Sequence, residues 1–232
     1  ANATLTTTNN NVTIGGTATL NKNLTVSDGT GNTTFTGAVD GANALTVTST
    51  GTTTFSAPVG GTTALTTLTT DAGGTLVLNG VSTTGAQTYG ETTAASLAGT
   101  FNTNGTAFTI NAPATLTGAT TINAGAGNAT FASTVNGANA LTVNSTGTTT
   151  FTGAVGGTTA LTSLTTNAGG TTAINGGAVT TTGAQTYNDA VTLGANTTIT
   201  GVGNTFAAID GAKTLTINDS GTTTLEIGRA HV

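Results

Sequence analysis

Apolar side chains recur at every second position over short stretches of this chain. Leu24 and Val26, Leu45 and Val47, Leu76 and Leu78, Leu141 and Val143, Val191 and Leu193, and Leu215 and Ile217 all show the spacing, with Thr or Asn around them. Alternate side chains of a strand point to opposite faces, so each pair predicts a short strand with one apolar side. Thr fits such strands because its branched β-carbon packs well on a pleated surface. Leu65/Leu68 and Leu161/Leu164 break the alternation and predict a bulge or a corner. Turn signals punctuate the strands: Asp28-Gly29, Asp40-Gly41, Asn79-Gly80, Asn104-Gly105, Asn136-Gly137, Asn175-Gly176 and Asp210-Gly211. A sustained apolar stripe of helical period is missing, so helix content close to nil is expected.

The strands belong to a repeat. Residues 31–50 (GNTTFTGAVDGANALTVTST) are followed by the related residues 51–70 (GTTTFSAPVGGTTALTTLTT), a shift of 20 that sets Phe35 against Phe55, Val39 against Val59 and Leu45 against Leu65. The pair returns 96 positions later at 127–146 and 147–166, and a third copy starts near Gly203 about twenty residues early. A 20-residue unit of short strands cannot bury its apolar side alone, and stacking each unit on the one before it solves the problem. The expected fold is therefore all-β, a single-stranded right-handed parallel β-helix of about 20 residues per coil over residues 1–225. At about 4.8 Å per rung, eleven or twelve rungs make a rod of roughly 50–55 Å. Phe35 is expected over Phe55, and Phe131 over Phe151. An antiparallel sandwich is the second choice, since it needs no fixed shift.

Composition agrees with stacking and narrows the chemistry. Charged residues make up 5% of the chain, against about a quarter in ordinary soluble domains. Like charges one rung apart would repel, whereas Thr and Asn bond to their own kind. The net charge is −5, from eight scattered carboxylates and only three cations, Lys22, Lys213 and Arg229. Nucleic acid is not an expected partner, because neutralising a phosphate backbone takes clustered Lys and Arg. There is no Cys, and the one His is His231. The carboxylates are lone and read as turn residues, so no enzymatic activity, catalytic residue, cofactor or metal is expected. Asp71-Ala-Gly-Gly and Asn167-Ala-Gly-Gly bear a faint likeness to calcium-binding repeats, but the Asn in the second copy and the lack of a nonapeptide period favour plain turns.

Two surface patterns remain. Asn-x-Ser/Thr triplets begin at Asn2, Asn11, Asn23, Asn32, Asn128, Asn144 and Asn196 among other positions, a frequency that chance supplies in so Asn- and Thr-rich a chain. If the Phe residues point inward, then Asn32, Thr34, Thr52, Thr54, Asn128, Thr130, Thr148 and Thr150 point outward and form the candidate binding row. Flat threonine rows can bind ice or carbohydrate. The DAGGT and NAGGT units are expected to interrupt this one, limiting it to pairs of rungs.

The segments GTTTFTGAVGGTTALTSLTTNAGG (147–170) and TTGAQTYNDAVTLGANTTITG (181–201) resemble repeats of filamentous-haemagglutinin-like adhesins and related autotransporter passenger domains, very large bacterial surface proteins. The resemblance implies a right-handed β-helix exported through an outer-membrane β-barrel to the surface of a Gram-negative bacterium. Its partners would be flanking repeats of the same chain, the export barrel, and a host, matrix or neighbouring-cell ligand held by another part of the protein. It departs from the pattern in having no two-partner secretion module, no carboxy-terminal barrel and no Arg-Gly-Asp. On this reading the chain is an internal fragment serving as a structural spacer, and the alternative is a direct carbohydrate- or ice-binding surface. Residues 226–232 (EIGRAHV) leave the repeat pattern. A common sequencing-adapter sequence read in frame encodes them, so a non-native tail is expected.

Overall fold

The computed structural model describes residues 2–225, all of them strand, turn or irregular backbone, without helix. The expected tail at 226–232 lies outside the described residues. Every strand pairing is parallel, and between the two ends each strand is joined, by a ladder or by an isolated bridge, to the chain one coil earlier and one coil later. This is a β-solenoid. Each coil contributes a strand to three columns, illustrated by the coil Leu24–Gly29, Thr33–Phe35, Val39–Asp40. These columns form a first, second and third face in chain order. The first face runs from Ala3–Thr6 through Leu24–Gly29, Leu45–Ser49, Leu68–Thr70, Gln87–Tyr89, Phe108–Ile110, Ala129–Phe131, Thr148–Phe151 and Thr171–Ile174 to the ends of Gln185–Leu193 and Thr205–Asp210.

The side chains between the faces are the apolar positions of the alternation. Val26, Phe35, Val47, Phe55, Leu97, Ile122, Phe151 and Tyr187 are all fully buried; Thr takes both kinds of position, with Thr33, Thr53 and Thr149 buried among them and Thr34, Thr54 and Thr150 on the outer side. Phe35 stacks on Phe55 with ring centroids 4.8 Å apart and planes within 6°, and Phe131 stacks on Phe151 at 5.2 Å and 17°. Midway along, Phe101 of the third face meets Tyr89 and Phe108 of the first edge-on, at 6.4 and 5.7 Å. Aromatic pairs in such geometries add to the area they bury.

The coil is not a fixed 20 residues. Along the first face the step is 21 from Leu24 to Leu45, 23 from Leu45 to Leu68 and 19 from Leu68 to Gln87. Leu45 therefore pairs with Leu68 and not with Leu65. The physical reason is the loop Gly60–Ala64, which bulges outward after Val59 and absorbs the extra residues. Its Thr62 and Thr63 amides donate to Asp40 Oδ1 at 2.8 and 3.0 Å. Leu65 and Leu68 are both buried and straddle the corner between faces, which explains the broken alternation. The second copy repeats the device at Gly156–Ala160, where Thr158 and Thr159 donate to Asn136 Oδ1 at 2.9 and 3.2 Å.

The 96-residue repeat also changes face. Phe35 lies in the second strand of the second face and its counterpart Phe131 in the seventh strand of the first. That is five coils less one face, or about four and two-thirds coils per 96 residues.

Candidate functional site

The outward positions form columns. On the first face Thr4, Thr25, Thr46, Thr69, Thr88, Thr109, Thr130 and Thr150 occupy one register position on eight successive rungs, and Ala173 ends the run. On the third face Thr100, Thr121, Thr142, Thr165, Thr186, Thr205 and Thr224 do the same on seven. The second face carries Thr13, Thr34 and Thr54, then Val77. The columns are copies of each other: Thr13, Thr34 and Thr54 become Thr109, Thr130 and Thr150, and Thr4, Thr25 and Thr46 become Thr100, Thr121 and Thr142, each 96 residues on. Since each copy lands one face away, every column ends on its own face and reappears on another.

This divides the eight residues of the candidate row. Asn32, Thr34, Thr52 and Thr54 lie on or beside the strands of the second face, and Asn128, Thr130, Thr148 and Thr150 on or beside those of the first. All are exposed or half-buried. Thr130 and Thr150 join the eight-rung column, while Thr34 and Thr54 close a shorter one. Thr52 and Thr148 bond through their hydroxyls to Thr75 and Thr171 of the next rung, at 2.7 and 3.2 Å. Sequence reasoning counted residues along one repeat and so missed the longer column, which draws on six positions that do not precede a repeat Phe, Thr4, Thr25, Thr46, Thr69, Thr88 and Thr109. The signal was present in the Thr between paired apolar residues, as in Leu24-Thr25-Val26 and Leu45-Thr46-Val47.

Asparagine has a different task. Asn11, Asn23, Asn32, Asn128 and Asn196 accept through Oδ1 the backbone amide one rung below, from Asn32, Ala44, Thr52, Thr148 and Thr214 at 2.8–3.1 Å. Each satisfies an amide at the start of a strand, where the ladder has not begun. These are five of the Asn-x-Ser/Thr triplets, so the motif has a structural cause in strand capping. On the third face Asn144 Nδ2 donates to Asn123 Oδ1, and Asn123 Nδ2 to Asn102 Oδ1, both at 2.7 Å. Asn102 Nδ2 then donates to Ser82 Oγ at 3.1 Å, closing an amide ladder.

The titratable groups sit at corners. Asp71 Oδ1 accepts the Ser49 amide at 2.9 Å and Asn167 Oδ1 accepts that of Ser145 at 2.6 Å, so Asp and Asn do one job in the two copies. Only an acceptor is needed there, as in an ordinary turn. Glu91 is buried and takes the Thr70 hydroxyl at 2.6 Å, and burial lifts its pKa to about 7, with the Asp71 charge adding to the rise. Asp189, its counterpart, accepts Thr166 and Thr172 on one oxygen, and burial again raises its pKa. Asp219 is held well below the usual carboxylate range by the Thr223 hydroxyl and the amides of Asn204, Gly203 and Gly221. Beside Glu91 and Asp189, a buried Gln bonds the Tyr two residues on: Tyr89 O–H donates to Gln87 Oε1 at 3.1 Å, and Tyr187 O–H to Gln185 Oε1 at 2.8 Å. Gln87 Nε2 in turn reaches the Val81 and Asn102 carbonyls at 3.1 and 2.8 Å. These networks tie adjacent coils together. Among the described residues, no three His, Asp or Glu cluster in a metal-binding arrangement.

No family profile, curated protein or solved structure matches this chain.

Proposed function

We propose that the chain is a structural spacer, a stalk segment of a large bacterial surface adhesin that lengthens the molecule and carries no catalytic activity. The advance of four and two-thirds coils per repeat carries this reading. A segment that turns its surface by one face at each repetition extends a rod without presenting one side along its length, which suits a stalk better than a one-sided binder. The columns of buried aromatics and capping Asn give it stiffness, because every rung holds its neighbours through the same bonds. The repeat wording at 147–170 and 181–201 supports the adhesin setting and export to the cell surface.

Adding one 96-residue unit to the chain should lengthen it by about 22 Å, from about 4.7 coils at about 4.8 Å. Small-angle scattering on the chain with one and two added units measures this. A particle that widens instead of lengthening would sink the spacer.

One observation favours a second reading. Eight threonines at a single pitch on the first face form a flat, uncharged array of hydroxyl and methyl groups. Such a surface is suited to binding ice or a carbohydrate lattice. Retention on an ice-coated surface, abolished in the double variant Thr69→Lys/Thr88→Lys, would establish it, and wash-through of the parent chain would dismiss it.

A further inference from the structure

Below the outward loop Gly60–Ala64, the third face and its corner with the first form an open groove of about 510 Å³, lined among others by Ala64, Ser82, Thr84, Asn102, Asn104 and Asn123. Its volume falls within the usual range for small-molecule sites. The groove exists because the loop is pinned outward by Asp40 while the three rungs beneath lie flat. We propose that this groove binds an uncharged, hydroxyl-rich ligand, a neutral oligosaccharide lying along the rod axis. The inference goes beyond the spacer reading and does not depend on it.

The chemistry of the lining argues for this occupant. Asn102 and Asn123 each use one N–H and one oxygen lone pair in the amide ladder, which leaves each amide a second N–H and a second lone pair. A sugar hydroxyl both donates and accepts, and so matches an amide edge. Polar groups on three successive rungs suit a chain of linked rings better than a compact solute. None of these six lining residues carries a charge, so an ionic ligand would lose its hydration here without compensation. The carbon surface between the polar groups comes from Ala64 and the Thr methyl, and it fits the C–H faces of sugar rings.

The second repeat supplies an internal comparison. Under the matching loop Gly156–Ala160, the register Ser82–Asn102–Asn123 becomes Thr180–Thr200–Asn218, and Asn104 becomes Val202. The backbone arrangement recurs while two of the three amides are gone, so only the first groove is expected to bind.

The test is a titration of the full chain with cellotetraose, maltotetraose and chitotetraose, followed by the side-chain amide signals of Asn102, Asn104 and Asn123 in nitrogen-15 correlation spectra. At least one sugar should shift these signals saturably at millimolar concentration. Asn104→Gly combined with Ser82→Ala should weaken that binding at least tenfold. Gly keeps the positive φ of 51° that Asn104 adopts, so the turn survives. Thr182→Ala, in the second repeat, should leave binding unchanged. The proposal is overturned if none of the three sugars moves the amide signals, or if the double variant binds as the parent does. Neither result touches the rod length by scattering, so the spacer reading stands or falls separately.

Discussion

Single residues in this rod are judged by what lies one rung away. Gly74 has a positive φ of 60°, and a β-carbon there would land on the carbonyl oxygen of Gly51. Gly16 has a similar φ of 71° but open space around it. Gly16→Ala should therefore cost only the backbone term, about 1–2 kcal/mol, whereas Gly74→Ala must also push two rungs apart and should cost clearly more. Urea denaturation of the two variants compares them directly; equal losses would show that the rungs part easily. Glu91 gives a pH dependence whose sign is fixed by its burial. Its pKa is about 7 in the folded chain against an ordinary 4.5, so the folded state holds the proton more tightly. The stability it allows is complete below pH 4.5 and declines as pH rises through 7. The loss amounts to roughly 3 kcal/mol. Asp189 shifts in the same direction, whereas Asp219 acts only in strong acid. Glu91→Gln should flatten most of the difference between urea midpoints at pH 5 and pH 8, and an undiminished difference would assign it elsewhere.

At the scale of strands, the ends of the coil differ from its middle. Ala3–Thr6 is exposed at all four positions and pairs on one edge only, with Leu24–Gly29. Leu5 and Leu225, at opposite ends, are 40% and 45% exposed. An open strand edge beside exposed leucine is a template for another chain. The chain should associate end to end, with an apparent mass in light scattering that rises with concentration, and Leu5→Lys should reduce the rise. Strictly monomeric behaviour of the parent at high concentration would count against it. The strands themselves were legible in the sequence, because Leu-Thr-Val states an inward, an outward and an inward position in three letters. Their partners were less so. Leu45 faces Leu68 and not Leu65 because the loop Gly60–Ala64 leaves the coil, and a shift counted in residues cannot tell a loop from a strand. The same blindness divided the candidate row between two faces. Of the groove, the sequence announced only the Asn104-Gly105 turn; the alignment of Ser82, Asn102 and Asn123 needed the true coil lengths.

At the scale of the whole chain, stability is a sum over neighbours and should be graded. The coils between Gln87 and Phe151 bury Tyr89, Phe101, Phe108, Phe131 and Phe151 in one continuous aromatic contact, while Leu215–Asp219 is only partly covered and Thr224–Leu225 is exposed. Amide hydrogen exchange should be slowest in the first group and fastest at the two ends, as local opening starts where fewest contacts are lost. Uniform exchange along the rod would show that it opens as one unit.

The change of face with each repeat turns the rod into a screw with a coarse thread. In any longer array of this unit, one more copy swings whatever sits at the far end through a third of a revolution, and three copies bring it back to its first bearing. Variants differing by one repeat would then reach different distances and also look in different directions, so gene length would set aim as well as reach.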